Sequence, residues 1–255
     1  MNIYEQILEK KKKGLKMFAV LIDPDKQNIE ELKALVSFTK KNHVDFIFVG
    51  GSLLTSDSLD YCLSTIKSNC SIPTVLFPGN TMQIHSSADG ILFLSLISGR
   101  NPEMLIGQQV ISAPMLKSSN LEVISTGYML IESGQPTTVS YMSNTTPIPH
   151  NKNDIAVCTA MAGDMLGLKL IFMDGGSGAK KPISSSMIRA VSNNIDVPLI
   201  IGGGICDGKK ALENCEAGAD LIVVGNSIEK NPEKVHEIAQ AIQNYNLEHR
   251  HEVLN

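Results

Sequence analysis

Eight short apolar runs alternate with longer amphipathic segments along this 255-residue sequence, and this alternation limits the fold more than any other feature. The runs are rich in Val, Ile and Leu without polar alternation, which is typical of strands buried on both faces of a parallel sheet. They are Met17–Ile22, Phe46–Val49, Thr74–Phe77, Ile91–Leu96, Leu121–Ile124, Leu170–Met173, Pro198–Ile201 and Leu221–Val224. Eight such strands predict a closed barrel rather than an open sheet.

The segments between the runs have helical spacing and predict the crossovers of successive βαβ units. They are Ile29–Lys41, Ser58–Ser68, Pro102–Lys117, Asp154–Leu168, Ser184–Asn193, Gly208–Ala217 and Pro232–Tyr245. The interval from Gly79 to Gly90 is the exception, because its helical pattern is weak. Barrels of about 250 residues form one domain. We therefore predict an α/β protein, a single (β/α)8 TIM barrel over residues 1–255, with a degenerate or missing third helix.

Charge and hydropathy exclude several classes of protein. The 22 Lys and Arg residues are outnumbered by 26 Asp and Glu residues, so the chain has no excess positive charge for a nucleic-acid partner. The longest apolar stretches are far shorter than the ~20 residues that span a bilayer. The N-terminus lacks the apolar region of a secretory signal. The sequence therefore predicts a cytoplasmic protein with no transmembrane segment.

Several common catalytic and metal-binding motifs are absent from the sequence. The six histidines and five cysteines form neither a zinc-ligand spacing nor a Cys-x-x-Cys pair. There is no Gly-x-Gly-x-x-Gly opening, no Walker motif and no Gly-x-Ser-x-Gly elbow. Cys206 follows the glycines of the seventh strand, but no partner base is identified for it. Dinucleotide, nucleoside-triphosphate and nucleophilic hydrolase chemistry is therefore not indicated.

Chemistry in a (β/α)8 barrel gathers at the carboxyl ends of the strands, and the first two ends carry polar groups. The first reads Asp23-Pro24-Asp25-Lys26, a set that suits Mg²⁺ bound together with substrate phosphates. The same two aspartates also suit a turn that caps the following helix. The second end, Gly50-Gly51-Ser52, adds a bare backbone and a hydroxyl that suit a metal ion or a phosphate.

The last three strand ends are rich in glycine. Phe172–Ala179 contains three glycines and Asp174, a carboxylate that suits orienting or deprotonating a hydroxyl, or serving only as a turn residue. Gly202–Ile205 and Gly225–Ser227 follow strands seven and eight, where barrels of this kind commonly bind phosphate. The long polar segment 132–153 is interpreted as a lid or an active-site loop.

Taken together, these motifs resemble the geranylgeranylglyceryl phosphate synthase family, which also contains heptaprenylglyceryl phosphate synthase. The resemblance rests on Phe18–Lys26 (FAVLIDPDK), Gly50-Gly51-Ser52, Phe172–Ala179 (FMDGGSGA), Gly202–Ile205 and Val224-Gly225-Asn226, and it extends over nearly the whole chain. It implies a barrel without a regular third helix. It also implies a Mg²⁺-dependent prenyltransferase that joins sn-glycerol 1-phosphate to a polyprenyl diphosphate, foremost geranylgeranyl diphosphate, through an ether bond and releases diphosphate.

The resemblance also implies which residues perform this reaction. Asp23 and Asp174 are the catalytic residues, and Asp23 and Ser52 hold Mg²⁺. The substrate-binding residues are Lys26, Phe172, Met173, Asp174, Gly175, Gly176, Ser177 and Gly178. The phosphate group of glycerol phosphate is expected to lie on Gly203, Gly204, Gly225 and Asn226. A homo-oligomer and a transient membrane contact of the lipid product are further implications. We expect the prenyl groove beside the missing third helix, at Ile91–Leu96.

The chain departs from the family pattern at two residues of one acceptor-site segment. The family usually carries Tyr-x-Glu where this chain has Phe172-Met173-Asp174, so a hydroxyl is lost and the carboxylate is one methylene shorter. Two alternatives stay open. One is a phosphosugar isomerase or lyase on the same barrel, with Asp23 and Asp174 as acid and base. The other is a non-catalytic protein that binds a phosphorylated ligand.

Overall fold

The computed structural model describes residues 1–250, and within them eight strands form a closed barrel in sequence order. All neighbouring pairs are parallel, and the last strand pairs with the first. The strands are β1 Met17–Ile22, β2 Phe46–Val49, β3 Thr74–Leu76, β4 Gly90–Leu96, β5 Glu122–Leu130, β6 Leu170–Asp174, β7 Leu199–Gly202 and β8 Leu221–Val224. The predicted (β/α)8 barrel is confirmed. The predicted domain ends at residue 255, which lies outside the described residues.

Helices surround the barrel and supply its crossovers. They are α1 Ile3–Lys12, α2 Ile29–Lys41, α3 Leu59–Asn69, α4 Gln108–Ser118, α5 Thr138–Ser143, α6 Asn153–Met165, α7 Ser185–Ser192, α8 Gly208–Glu216, α9 Asn226–Lys230 and α10 Lys234–Arg250. A π-helical turn, Glu103–Gly107, precedes α4. Helix α2 begins where Asn28 accepts hydrogen bonds from the backbone N–H groups of Glu30 and Glu31, a capping box that local sequence alone specifies.

The third crossover contains no α-helix in the described structure, as the sequence predicts. A single 3₁₀ turn, Thr81–Gln83, stands between β3 and β4. Asn80 begins the turn by accepting a hydrogen bond of 2.9 Å from the backbone N–H of Met82. The side of the barrel next to β3 and β4 is therefore covered more thinly than the rest.

Alternate strand residues form two separate apolar layers, because successive side chains of a strand point to opposite faces. The inner layer fills the barrel and includes Phe46, Phe48 and Phe172, and α1 closes its amino end with Ile3 and Ile7. The outer layer lies between the sheet and the helices. In β6, Phe172 and Asp174 therefore point inward, whereas the residue between them points outward.

Strand β5 continues past the predicted end at Ile124 to Leu130. The sequence Ser-Thr-Gly interrupts its apolar run, so local pattern underestimates its length. Gly127 is required by packing: a Cβ atom there would lie 2.8 Å from Cδ1 of Ile97 and 2.9 Å from Cδ1 of Ile171. The added length carries Tyr128 to the carboxyl end of the barrel.

We find no helix within residues 1–250 that has both the length and the hydropathy to cross a membrane.

Candidate active site

A cavity of about 1070 Å³ opens at the carboxyl ends of the strands, where the sequence predicts the site. Residues that follow or end every strand contribute to its wall. Of the predicted site residues, the wall contains Asp23, Lys26, Ser52, Phe172, Asp174, Gly176, Ser177, Gly178, Gly203, Gly204, Gly225 and Asn226. The barrel thus brings together residues that are far apart in sequence.

Two predicted residues, Met173 and Gly175, do not line this cavity. Met173 is fully buried in the outer layer, between the sheet and the helices. Its prediction as a substrate-binding residue is corrected, because strand alternation directs it away from Phe172 and Asp174. Gly175 lies against the backbone of Gly203 and donates its N–H to the Gly202 carbonyl at 3.1 Å. Gly175 therefore permits a close approach of two loops instead of contacting a ligand.

Asp23, at the end of β1, has features of both roles that the sequence left open, a turn residue and a residue of the cavity. Its Oδ1 accepts a turn hydrogen bond of 3.2 Å from the backbone N–H of Asp25. Its Oδ2 lies 3.1 Å from Nζ of Lys26. The carboxylate also lies 3.4 Å from the point that a Cβ atom on Gly51 would occupy, so it stands beside the loop that carries Ser52. Asp23 shapes the turn and faces the cavity.

Asp25 has a structural role that is separate from the cavity. Its carboxylate accepts hydrogen bonds from the hydroxyls of Ser56 at 2.6 Å, Ser58 at 2.8 Å and Thr55 at 2.9 Å. Burial alone would raise the pKa of Asp25, but these bonds outweigh it and hold the pKa well below its usual range. Asp25 therefore ties the loop after β1 to the loop after β2.

Gln83, which the sequence did not single out, fixes the two loops after β2 and β3. Its Oε1 accepts from the backbone N–H groups of Gly51 at 3.3 Å and Gly79 at 3.2 Å, and its Nε2 donates to the Gly51 carbonyl at 2.8 Å. The side chain is buried. Buried polar groups are generally satisfied in this way. Gln83 thus holds the backbone next to Ser52 in place.

Asp174 is buried at the inner end of β6 and both of its oxygens are hydrogen-bonded. Tyr128 donates its hydroxyl to Oδ2 at 2.6 Å, and the backbone N–H of Gly176 donates to Oδ1 at 2.8 Å. Burial raises the pKa of Asp174, and these two bonds offset part of the rise. Burial, together with the Asp174 charge, also raises the pKa of Tyr128 well above its ordinary value. A carboxyl group with a raised pKa in a cavity is suited to proton transfer.

Phe172 belongs to a cluster of three aromatic rings beneath Asp174. It stacks on Phe77 with centroids 5.1 Å apart and meets Tyr128 edge-on at 5.6 Å. Tyr128 is the functional residue that sequence reasoning missed. It lies opposite Phe172 in the β5–β6 pairing. The hydroxyl that this chain lacks at position 172 is therefore present on the neighbouring strand.

The two glycine loops after β7 and β8 both line the cavity, and the loop after β7 lies against Asp174. Gly203 has φ +81°, and a Cβ atom there would lie 2.5 Å from the nitrogen of Gly175 and 2.7 Å from Oδ1 of Asp174. Only glycine fits this position. Gly225 has an ordinary φ, and a Cβ atom there would lie 3.4 Å from the nearest backbone oxygen, that of Leu21. Bare backbone therefore faces the cavity at both predicted phosphate loops.

Lys26 connects the first strand end to the eighth. Its ammonium lies 3.4 Å from Oδ1 of Asn226 and 3.4 Å from Oε2 of Glu229, in addition to its pair with Asp23. Ser177 also donates to Oδ1 of Asn226, at 3.1 Å. Burial alone would lower the pKa of Lys26, but the attraction of Glu229 and Asp23 outweighs it and raises the pKa. Burial raises the pKa of Glu229, and Lys26 offsets part of that rise.

The residues around Asp23 fit a Mg²⁺ ion that completes its coordination shell with water or with ligand phosphates. Within residues 1–250 there is no group of three or more acidic, His or Cys side chains that would form an all-protein metal cage. Mg²⁺ is commonly held by one or two carboxylates, and substrate phosphates and water complete its shell. Asp23 and Ser52 on one wall of the cavity supply this kind of partial donor set.

The wall of the cavity next to β4 is apolar. Leu94 and Leu96 of β4, Met104 of the π-helical turn, and Val139 and Met142 of α5 line it. Helix α5 lies within the segment 132–153, so the predicted active-site loop does reach the cavity. A second, small cavity of about 50 Å³ continues beside the third crossover and α4. These positions agree with the expected groove at Ile91–Leu96.

Cys206 also lines the cavity, but its environment does not favour a thiolate. Burial and the neighbouring Asp207 carboxylate raise the pKa of the thiol. A thiol needs a lowered pKa to act as a nucleophile at neutral pH.

The closed barrel, and a cavity at its carboxyl end with glycine loops after β7 and β8, define a (β/α)8-barrel protein of the enzyme type. The sequence profile of the PcrB family matches residues 5–242. The chain belongs to the PcrB family.

Relatives of known name support this membership. A geranylgeranylglyceryl phosphate synthase from Chitinophaga pinensis is 58% identical over 241 residues, which cover 94% of this chain and 96% of the relative. The enzyme of that name from Pyrococcus horikoshii is 39% identical over 243 residues, which cover 94% and 95%. The crystal structure of (S)-3-O-geranylgeranylglyceryl phosphate synthase from Thermoplasma acidophilum in complex with sn-glycerol-1-phosphate matches with a TM-score of 0.90. That match has 31% identity and covers 96% of this chain and 99% of that one. The predictions of the family and of an enzyme of the prenyltransferase class are confirmed.

Proposed function

We propose that this chain joins sn-glycerol 1-phosphate to a polyprenyl diphosphate, foremost geranylgeranyl diphosphate, and releases diphosphate in a Mg²⁺-dependent reaction. The observation that carries the proposal is the composition of the cavity. Asp174 lines a cavity whose wall also contains the glycine loops after β7 and β8 and apolar side chains of β4 and α5. Such a site suits a ligand with a phosphate at one end and a hydroxyl that reacts with an apolar partner.

The acceptor phosphate would bind the bare backbone of Gly203, Gly204 and Gly225 and the side chain of Asn226. Backbone N–H groups of glycine loops after strands seven and eight are a frequent phosphate-binding device in this fold. The glycerol part would lie along Phe172–Gly178, without the outward-pointing Met173. This placement directs a hydroxyl of the acceptor toward Asp174.

Asp174 would orient the acceptor hydroxyl and take its proton. The hydroxyl oxygen forms the new C–O ether bond with C1 of the prenyl group, while the bond from C1 to the diphosphate oxygen breaks and diphosphate leaves with the electron pair. The hydroxyl proton passes to a carboxylate oxygen of Asp174. An allylic diphosphate ionises readily, so the base need not be strong, and alignment supplies much of the rate.

Asp23 and Ser52 would hold the Mg²⁺ ion and the diphosphate, with Lys26 as an additional positive charge at the same end. A bound divalent cation would neutralise the charge that develops on the leaving diphosphate. The prenyl chain would lie along Leu94, Leu96 and Met104, beside the third crossover that lacks a helix. This placement of the prenyl chain depends on the thin cover of the barrel next to β3 and β4.

Incubation of the purified protein with radiolabelled sn-glycerol 1-phosphate, geranylgeranyl diphosphate and Mg²⁺ tests the proposal. We expect label to move into the organic phase and diphosphate to appear in equal amount. The enantiomer sn-glycerol 3-phosphate and a chelator-treated sample are the controls. Conversion of a phosphosugar without any prenyl donor would favour the isomerase or lyase instead. Tight glycerol phosphate binding without turnover would favour the non-catalytic binding protein.

A further inference from the structure

A further carboxylate, Glu229, lies in a cavity that the proposed function assigns to two anionic ligands. It lines the wall together with Asp23, Asp174, Asp207 and Glu213, and its side chain is only 13% exposed. It lies in α9, one helical turn beyond Gly225 of the loop expected to bind phosphate. A negative charge at that place repels a phosphate group, so its presence requires a compensating contact.

The compensating contact is Lys26. Its ammonium lies 3.4 Å from Oε2 of Glu229, 3.1 Å from Oδ2 of Asp23 and 3.4 Å from Oδ1 of Asn226. An ammonium has three N–H donors, and these three acceptors belong to the adjacent strand ends β1 and β8. Glu229 is thus tied to the cation of the β1 loop.

Removal of the Glu229 charge would leave Lys26 with one carboxylate within 4 Å among the described residues, that of Asp23. Lys26 follows Asp23 by three residues, so this pair can form without any other part of the fold. A lysine held by Asp23 alone competes with a divalent cation for the same oxygen. Sharing the lysine with Glu229 weakens that competition and keeps the ammonium between the β1 and β8 ends.

The geometry points to Glu229 as a positioning residue that holds the Lys26 ammonium between Asp23 and the phosphate loop. Asp23 then stays available to a divalent cation, and Lys26 stays available to both anionic ligands of the proposed reaction. This inference rests on the proposed function, because it takes Asp23 as the metal ligand. It assigns a role to an acidic residue that does not itself contact the reacting atoms.

Direct binding of Mn²⁺, measured by electron paramagnetic resonance on the full chain without substrates, tests the inference through a double-mutant cycle. We expect Glu229→Gln to weaken Mn²⁺ binding about fivefold, the factor that matches the upper range for a partly exposed ion pair. Lys26→Gln should tighten binding, and in that background Glu229→Gln should have no further effect. Glu233→Gln removes the same charge from an exposed site nearby and should leave Mn²⁺ binding unchanged.

Other outcomes would overturn either the role of Glu229 or the proposed metal site. Equal weakening by Glu229→Gln with and without Lys26 would show that Glu229 acts on the metal by its own charge, and would overturn the inference. An unchanged Mn²⁺ affinity would overturn it as well. Failure of the wild type to bind Mn²⁺, or unaltered binding by Asp23→Asn, would instead remove the metal site of the proposed function and this inference with it.

Two further measurements separate positioning from a general effect on folding. Glu229→Asp keeps the charge on a shorter side chain, so its Mn²⁺ affinity should lie between those of the wild type and Glu229→Gln. If Glu229→Gln does not fold, Glu229→Asp takes its place in the cycle. In turnover, excess Mg²⁺ should restore the kcat of Glu229→Gln, because the cation then displaces Lys26 from Asp23. A loss of kcat that no Mg²⁺ concentration restores would contradict the inference.

Discussion

The phenol hydroxyl of Tyr128 donates a hydrogen bond of 2.6 Å to Oδ2 of Asp174, although 46 positions separate the two residues in the sequence. The parallel pairing of β5 with β6 places Tyr128 opposite Phe172 and so next to the carboxylate. Relative to the family pattern, a hydroxyl is absent from β6, but β5 supplies one, and it binds Asp174. This bond lowers the pKa of Asp174 against the effect of burial.

Replacement of Tyr128 by Phe tests what that bond does to the carboxylate. Without the donor, the pKa of Asp174 should rise further, because hydrogen bonds to the charged form favour ionisation. The ionised carboxylate is the base, so the acidic limb of the kcat–pH profile should move to higher pH. Tyr141→Phe, at a side chain that is 85% exposed, is the matched control. An acidic limb that stays in place would separate Tyr128 from the proton transfer.

Asp174→Asn keeps the shape of the side chain and removes its charge and basicity. We expect kcat to fall at least about a hundredfold, the lower range for loss of a general base, while calorimetric binding of glycerol phosphate changes little. Asp174→Glu restores the reach of the family carboxylate and should be tolerated or faster. If kcat of Asp174→Asn equals that of the wild type, Asp174 is a turn residue.

Asp23→Asn should reduce turnover at least about a hundredfold, the range for loss of a major electrostatic element. Activity of the wild type should disappear in chelator and return with added Mg²⁺. Asp57→Asn, an exposed substitution in the loop after β2, is the control for a simple change of charge. Full activity of the wild type in excess chelator would contradict a metal-dependent reaction.

Gly225→Ala should raise KM for the phosphorylated acceptor by about tenfold or more, because the added Cβ atom would hold the phosphate away from the backbone N–H and so cost one charge-assisted hydrogen bond. The added Cβ fits, since the nearest atom is 3.4 Å away, so the fold should be preserved. Gly203 is unsuitable for this test because any side chain there would collide with Gly175 and Asp174. KM for the prenyl donor serves as the internal control, and an equal rise for both substrates would argue against the placement.

We also expect the protein to form a homo-oligomer, with the outer face of α4 in the interface. Val110, Ile111 and Met115 of α4, with Ile106 of the preceding π-helical turn, are between 52% and 64% exposed. Exposed apolar side chains grouped in this way commonly mark an interaction surface. Light scattering should give a mass above 27.6 kDa, and Val110→Lys with Ile111→Lys should lower it. Tyr61→Lys, at an exposed aromatic residue on α3, should not. A wild-type monomer at micromolar concentration would contradict the prediction.

Local patterns predicted most of the strands and helices because burial and capping act over a few residues. The runs at β1, β2 and β8 have the bounds that their continuous Val, Ile and Leu content indicates, and α2 begins at its capping box. The outer half of β5 escaped prediction because Gly127 is selected by Ile97 and Ile171 from other elements. No local sequence pattern within β5 indicates that packing.

The sequence by itself determined the barrel, its thin third crossover and the strand ends at which Asp23, Asp174 and the glycine loops would meet, because alternation of strands and helices fixes where carboxyl ends gather. The tertiary structure decided what each of these groups contacts. It turned Met173 away from the cavity, placed Tyr128 on Asp174 and set Lys26 between Asp23 and Glu229. These relations depend on barrel register and on side chains from separate strands, and distances across a barrel have no counterpart in the spacing of residues along the chain.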